Sequence, residues 1–199
     1  MSLSSWSALV LAGGAGRRFG GGKLLADLAG APLIRRVAER LAPAGFAEVV
    51  VAVGAESAAL RLALEGLSCR IVAAPDWAEG MAATLRTGIA ALDAQAEGVC
   101  VFLGDMPLVP VALCPELAEA AREAGYAARP RFAGQPGHPV AFTRAAFADL
   151  KALTGDRGAT ALLAARLSGV AYVDTAERGA LVDVDTPADL AATARAWKA

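Results

Sequence analysis

LVLAGGAGRRFGGGKLLADLAGAPLI, residues 9–34, starts as an apolar strand and breaks into glycine and arginine. Six of the ten residues from Gly13 to Gly22 are glycine, and Lys23 closes the run. Glycine admits positive φ and lets backbone N–H groups approach an anion with no Cβ in the way. Arg17, Arg18 and Lys23 add the capacity for charge-assisted bonds to phosphate oxygens. The stretch reads as a phosphate-holding loop that leaves the end of a strand.

Two common phosphate motifs do not fit it. A dinucleotide fingerprint needs GxGxxG, but Gly14-Ala15-Gly16-Arg17-Arg18 is followed by Phe19. A P-loop needs GxxxxGK[ST], and here Arg17 stands at the first glycine and Leu24 at the hydroxyl position. An oxidoreductase built on the first motif is therefore not expected.

Outward from the loop, strand-length apolar runs alternate with helical patterns. SALVLA (7–12), EVVVAV (48–53), CRIVAA (69–74) and GVCVFL (98–103) read as buried strands. PLIRRVAERLA (32–42), SAALRLALEG (57–66) and TLRTGIAALDA (84–94) have helix spacing. Continuously apolar strands joined by helices predict a doubly wound α/β fold, Rossmann-like, with a mostly parallel sheet. After residue 125, YAARPRFAGQPGHPVAF (126–142) reads as a small hairpin or loop over one sheet edge. Helices at 143–152 and 156–167, a strand at 170–174 and a last helix over about 187–197 complete the pattern. No linker divides the chain, so residues 1–199 are expected to form one domain.

Composition narrows the partners. With 56% hydrophobic and 20% charged residues the chain is an ordinary folded protein. A net charge of -1 argues against nucleic acid and membrane surfaces as partners, so an anion site must be a local gathering of donors. Cys69, Cys100 and Cys114 have no CxxC spacing and read as free thiols in a reducing compartment. The N-terminus has no signal-peptide pattern and no run approaches transmembrane length, which makes a cytoplasmic protein the expectation.

Two acidic motifs complement the loop. GVCVFLGDMPLV puts Asp105 just past a buried strand, at the sheet end where the glycine loop emerges. A carboxylate there suits Mg²⁺, which binds through one or two carboxylates plus substrate oxygens. Pro110 is expected to open the next helix. In LVDVDTPADL (181–190), Thr186, Pro187 and Asp189 read as N-cap, N1 and N3 of the last helix, a capping box with Asp for Glu. Asp183 and Asp185 are left over, two apart on an extended stretch.

The loop resembles the LAGGxGxRxG…K signature of the molybdopterin nucleotidyltransferases, the MobA-like NTP transferases. LGDMP resembles their metal motif, and DVDTPADL their DxDTPeDL ending. AEGMAATLRTGI (78–89), GQPGHPVAF (134–142) and TGDRGATALL (154–163) resemble their GMSSSLR, GHPvxF and GDxGAR segments, with Thr160 where arginine is usual. The resemblance implies a cytoplasmic nucleotidyltransferase that moves an NMP from CTP or GTP onto the terminal phosphate of a molybdopterin-type acceptor, releasing pyrophosphate.

Leu11, Ala12, Gly13, Gly14, Gly16, Arg17 and Lys23, with Gly80, Met81 and Thr84, would then bind the nucleotide. Arg17, Lys23 and Asp105 would be catalytic, and Asp105 and Asp185 would hold Mg²⁺, with Asp183 the runner-up to Asp185. His138, Gly137, Asp156 and Gly158 would face the acceptor, and a target molybdoenzyme would be a transient partner. Three downstream segments resemble the cytidylyl branch, whereas Gly13-Gly14 follows the guanylyl branch, which leaves CTP and GTP both open. Another sugar- or polyol-phosphate nucleotidyltransferase and a non-catalytic assembly factor are the remaining alternatives.

Overall fold

A computed structural model describes residues 2–155 and 158–197. Its first strands are β1 (Trp6–Ala12), then a two-residue ribbon of β2 (Asp27–Leu28) and β3 (Ala31–Pro32), then β4 (Glu48–Val53), β5 (Arg70–Ala73) and β6 (Gly98–Leu103). The second half adds β7 (Ala127–Phe132), β8 (Gln135–Pro136), β9 (Val140–Thr143) and β10 (Val170–Asp174). The main sheet runs β10-β7-β9-β6-β1-β4-β5, with β8 paired to β7. β6, β1, β4 and β5 are mutually parallel.

Side chains along β1 alternate between two cores. Trp6, Ala8, Val10 and Ala12 face one side, packed with α1 (Leu33–Leu41), α2 (Ser57–Ala63) and α4 (Cys114–Ala124). Leu9 and Leu11 face the other, packed with α3 (Met81–Ala91), α5 (Phe147–Lys151) and α6 (Thr160–Ala165). Burial on both faces is why these strands read as unbroken apolar runs. The last helix, α7 (Pro187–Trp197), begins with the expected capping box. Asp189 Oδ2 accepts from the Thr186 amide and hydroxyl, both at 2.7 Å, and the Asp189 amide returns a bond to Thr186 Oγ1.

The segment 126–142 makes its hairpin, but as part of the sheet rather than lying over its edge. β9 pairs antiparallel with β6 and β7, and β10 then adds parallel to β7. Ala133 and Gly134 at the tip have φ of 48° and 79°, the two positive values that a tight two-residue hairpin needs. The outer edge of β6 is thereby paired rather than left open.

Some boundaries move for local reasons. α3 starts at Met81, not 84, because Gly80 at φ 119° supplies the turn into it. Pro110 precedes a single 3-10 turn, Val111–Leu113, and the α-helix begins only at Cys114, with Pro115 in its first turn. β9 runs to Thr143, so α5 begins at Phe147. Cys100 and Cys114 are buried free thiols, and Cys69 is half-buried. Among the described residues no helix is long and apolar enough to cross a membrane.

The chain passes from β1 through β4 to β5 on one side, then returns to β6 on the other side of β1. Such a reversal of strand order opens a crevice beyond the carboxyl ends of the two strands. The loops after β1 and β6 enter it, and they carry Lys23 and Asp105.

Candidate active site

A cleft of about 470 Å³ lies at this crevice. Leu11, Ala12, Gly13, Gly14, Gly16 and Arg17 line it from the first loop, with Lys23 behind them. Gly80 and Met81 line it from the start of α3, and Asp105 and Asp185 from the opposite wall. Arg18 and Trp77 also line it.

The glycine loop is held open by its own turns. Gly20, Gly21 and Gly22 have φ of 91°, 93° and 64°, and the Gly22 amide donates to the Glu56 carboxylate at 3.0 Å. Among the described residues, the amides of Gly14, Ala15 and Gly16 donate to nothing within the protein. Three free donors around one cleft make an anion cradle.

Gly13 is glycine for a reason that the sequence did not show. A Cβ there would stand 2.0 Å from Thr84 Oγ1. Thr84, buried on α3, does not line the cleft; it packs behind the loop and fixes its approach. Gly13→Ala is expected to cost about 1–3 kcal/mol through overpacking, and Thr84→Ala in the same chain to recover most of it. Urea unfolding of the single and double variants measures this; additive losses would show that the two positions are not coupled.

Opposite the loop, the segment before α7 is tied to the Asp105 turn by a bond from the Val184 amide to the Asp105 carbonyl, 3.0 Å. That bond brings Asp185 to Asp105. Lys23 Nζ stands between them, 2.6 Å from Asp105 Oδ2 and 3.0 Å from Asp185 Oδ1, and Arg18 pairs with the other Asp185 oxygen. Burial alone would lower the Lys23 pKa, but the two carboxylates outweigh it and hold the ammonium above its ordinary value. Asp183 is exposed beside this cluster; desolvation, then the charges of Asp185 and Asp105, push its carboxyl up. Arg17, which the sequence put on phosphate, is exposed at the mouth.

The donor set fits a divalent cation. Asp105 Oδ1 is buried and has no hydrogen-bond partner, while its other oxygen and Asp185 already converge on one positive charge. Among the described residues no cluster of three or more His, Cys, Asp or Glu has a metal-holding arrangement. Two carboxylates from the protein match the way Mg²⁺ is shared with substrate phosphates.

Of the residues expected to face the acceptor, the described ones lie next to this cleft. His138 lines a second cavity of about 330 Å³, which shares Leu11, Met81 and Leu103 with the first. Burial first, then the nearby Arg129 charge, lower its pKa to about 4 against a hydrogen bond to the Val101 backbone, so the ring is neutral at pH 7. Gly137 is pressed against the Ala180 carbonyl, 2.4 Å from where a Cβ would be, and the His138 amide donates to that carbonyl. Gly158 packs on the Met81 sulfur, joining the loop after α5 to the start of α3. Asp156 lies outside the described residues.

Arg129 was missed by sequence reasoning, and its one signal was an arginine at an inward register in an otherwise buried strand. Trp77 was missed as well; an aromatic three residues before Gly80 was its only mark.

Comparison with known proteins bears on the family and the fold. The chain is 31% identical over 191 residues to the nicotine blue oxidoreductase of Paenarthrobacter nicotinovorans, covering 90% of this chain and 92% of that one. The crystal structure of Rv0371c from Mycobacterium tuberculosis superposes with a TM-score of 0.85 at 26% identity, covering 98% and 100% of the two chains. A molybdopterin-guanine dinucleotide biosynthesis protein A from Archaeoglobus fulgidus shares the fold, with a TM-score of 0.71 at 22% identity over 96% and 98% of the chains. The model of the MobA-like NTP transferase domain matches residues 8–193, from β1 through most of α7, and the chain belongs to that family.

Proposed function

We propose that this protein transfers a nucleotidyl group from CTP to the terminal phosphate of a molybdopterin-type acceptor. The observation that carries the reading is Lys23 Nζ held between Asp105 and Asp185 at the mouth of a loop with free amides. An oxygen of the acceptor phosphate attacks the α-phosphorus, the bond to the β-phosphate oxygen breaks, and pyrophosphate leaves. A phosphate nucleophile is largely ionised at pH 7, so no general base is needed, and the weakly basic His138 is not called on.

The protein's work is alignment and charge neutralisation. The amides of Gly14 to Gly16 face the phosphates, Arg17 and Arg18 meet them from the mouth, and Lys23 turns from its carboxylates to the leaving group. Mg²⁺ held by Asp105 and Asp185 supplies positive charge to the phosphate oxygens when bound.

CTP is favoured over GTP because GMAATLR, GHPVAF and GDRGA resemble the cytidylyl branch. The contrary sign, glycine at position 13, also has a packing reason in the Thr84 contact, which lessens its weight for GTP. The test is pyrophosphate release with molybdopterin, Mg²⁺ and each nucleotide in turn. Release with CTP is the expected result; release with GTP alone would overturn the base assignment, and release with neither the reaction.

The relative named as an oxidoreductase favours a second reading, reduction of a ligand in the adjoining cavity by a nucleotide cofactor in the first cleft. Oxidation of NADH or NADPH without pyrophosphate release would support it.

A further inference from the structure

The second cavity is built mainly of hydrocarbon. Leu85 and Leu163 close it from the helices, and Val101, Val140 and Phe142 from the sheet. Three polar side chains interrupt these walls: Arg129, His138 and Thr160.

Arg129 is the anomaly. It is partly buried on β7, and desolvation lowers its pKa. Its Nε donates to the Gly137 carbonyl at 3.1 Å, and among the described residues it forms no ion pair. Its neighbours differ: Arg131, two residues on, is bound by both oxygens of Asp174 at 2.7 and 2.8 Å. Across the strand pair, Arg129 meets Tyr172 rather than an acid. A guanidinium set into apolar walls without a counter-ion costs stability unless something else brings the negative charge.

His138 adds a direction. Its Nδ1 is buried and without a partner, while the Val101 backbone favours the protonated ring from nearby. In a neutral imidazole with Nε2–H donated, Nδ1 is an acceptor and asks for a donor from the ligand.

We propose that this cavity receives the body of the acceptor, and that the acceptor carries a second anionic group, distinct from the reacting phosphate, which pairs with Arg129. The body is flat and apolar, with an N–H or O–H that meets His138 Nδ1. The spacing follows from the sheet. The strand registers set Arg129 on β7 level with Val101 on β6, two strand spacings or about 10 Å across and four residues or about 13 Å short of Asp105, so about 16 Å of backbone separates the two positions. Arg129 is a specificity residue by this account, and the acceptor class is a planar ring system with two acidic termini. The proposal rests on the neighbouring cleft being the nucleotide site.

Binding of two isosteric probes tests it, 2-naphthoate and the neutral 2-naphthamide, titrated into wild type, Arg129→Gln and Arg129→Lys. Wild type is expected to bind the carboxylate about tenfold more tightly than the amide, the worth of one charge-assisted bond. Arg129→Gln brings the two within about twofold by losing only the carboxylate, and Arg129→Lys keeps part of the preference. Thermal stabilisation by Mg²⁺ with CTP, run on the same proteins, reports on the first cleft separately. A preference that survives Arg129→Gln overturns the proposal, as does a wild type that binds both probes alike or neither. Should the preference vanish with Arg129 while no nucleotide stabilises any variant, the anion pocket stands and the transfer reading falls. Should nucleotide stabilise all three proteins while no preference exists, the transfer reading stands and this proposal falls.

Discussion

Asp105→Asn is expected to lower nucleotidyl transfer by about a thousandfold or more, about 4 kcal/mol of transition-state stabilisation, with the fold retained. The substitution keeps the shape and removes the charge. Oδ1 is the buried oxygen with no partner, and Oδ2 is the one that holds Lys23 at 2.6 Å, so both roles of the residue go at once. What ties the turn to the segment before α7 is the Asp105 carbonyl, which asparagine keeps. Stability should fall by less than the ~3–5 kcal/mol of a broken buried pair, because Lys23 retains Asp185 and Asp183 is relieved of a neighbouring negative charge. Initial rates of pyrophosphate release, beside a thermal melt, check both halves. A variant keeping a tenth of the wild-type rate would remove Asp105 from the chemistry.

The second large effect is on stability against pH. His138 has a folded pKa of about 4 against an ordinary value of 6.5, because burial and Arg129 disfavour the imidazolium. A depressed histidine stabilises the fold in its neutral form. The contribution is complete above pH 6.5 and is lost as pH falls through the window from 6.5 to about 4. A gap of that size corresponds to about 3 kcal/mol. Glu48 and Asp189, both held below their ordinary values, also lose stabilisation in acid, but at lower pH and in any variant alike. His138→Gln, which cannot take up the proton, should therefore lose about 2 kcal/mol less than wild type between pH 7 and pH 4.5 in urea unfolding. Parallel losses in the two proteins would mean that His138 is solvated and titrates normally.

What the sequence disclosed was local. The strands that flank the cleft are continuous apolar runs, legible because both faces are covered. Thr186, Pro187 and Asp189 announced the start of α7 because a capping box is written within four residues. Gly13 to Lys23 and Asp105 were legible as one site because parallel strands deliver their loops to one end of the sheet, whereas Asp185 was assigned to it only through the resemblance of DVDTPADL.

What it hid was tertiary. The pairing of β9 between β6 and β7 puts Arg129 at the far wall of the second cavity, and no spacing within ARPRF encodes that strand order. The contact between Gly13 and Thr84 joins residues from two elements, and it gives the glycine a packing reason that the motif alone does not show. Arg17 and Arg18 could not be ranked from sequence either; the turn geometry gives Asp185 to Arg18.

The most direct test of the account is thermal stabilisation by CTP, GTP, ATP and UTP, each with and without Mg²⁺, on wild type and Asp105→Ala. A nucleotide at about a hundred times its dissociation constant adds about 2.7 kcal/mol, which is a plain shift in Tm. The account predicts stabilisation by CTP that needs Mg²⁺ and is lost in Asp105→Ala. Stabilisation by no nucleotide, or by one that is indifferent to both the metal and Asp105, would contradict it.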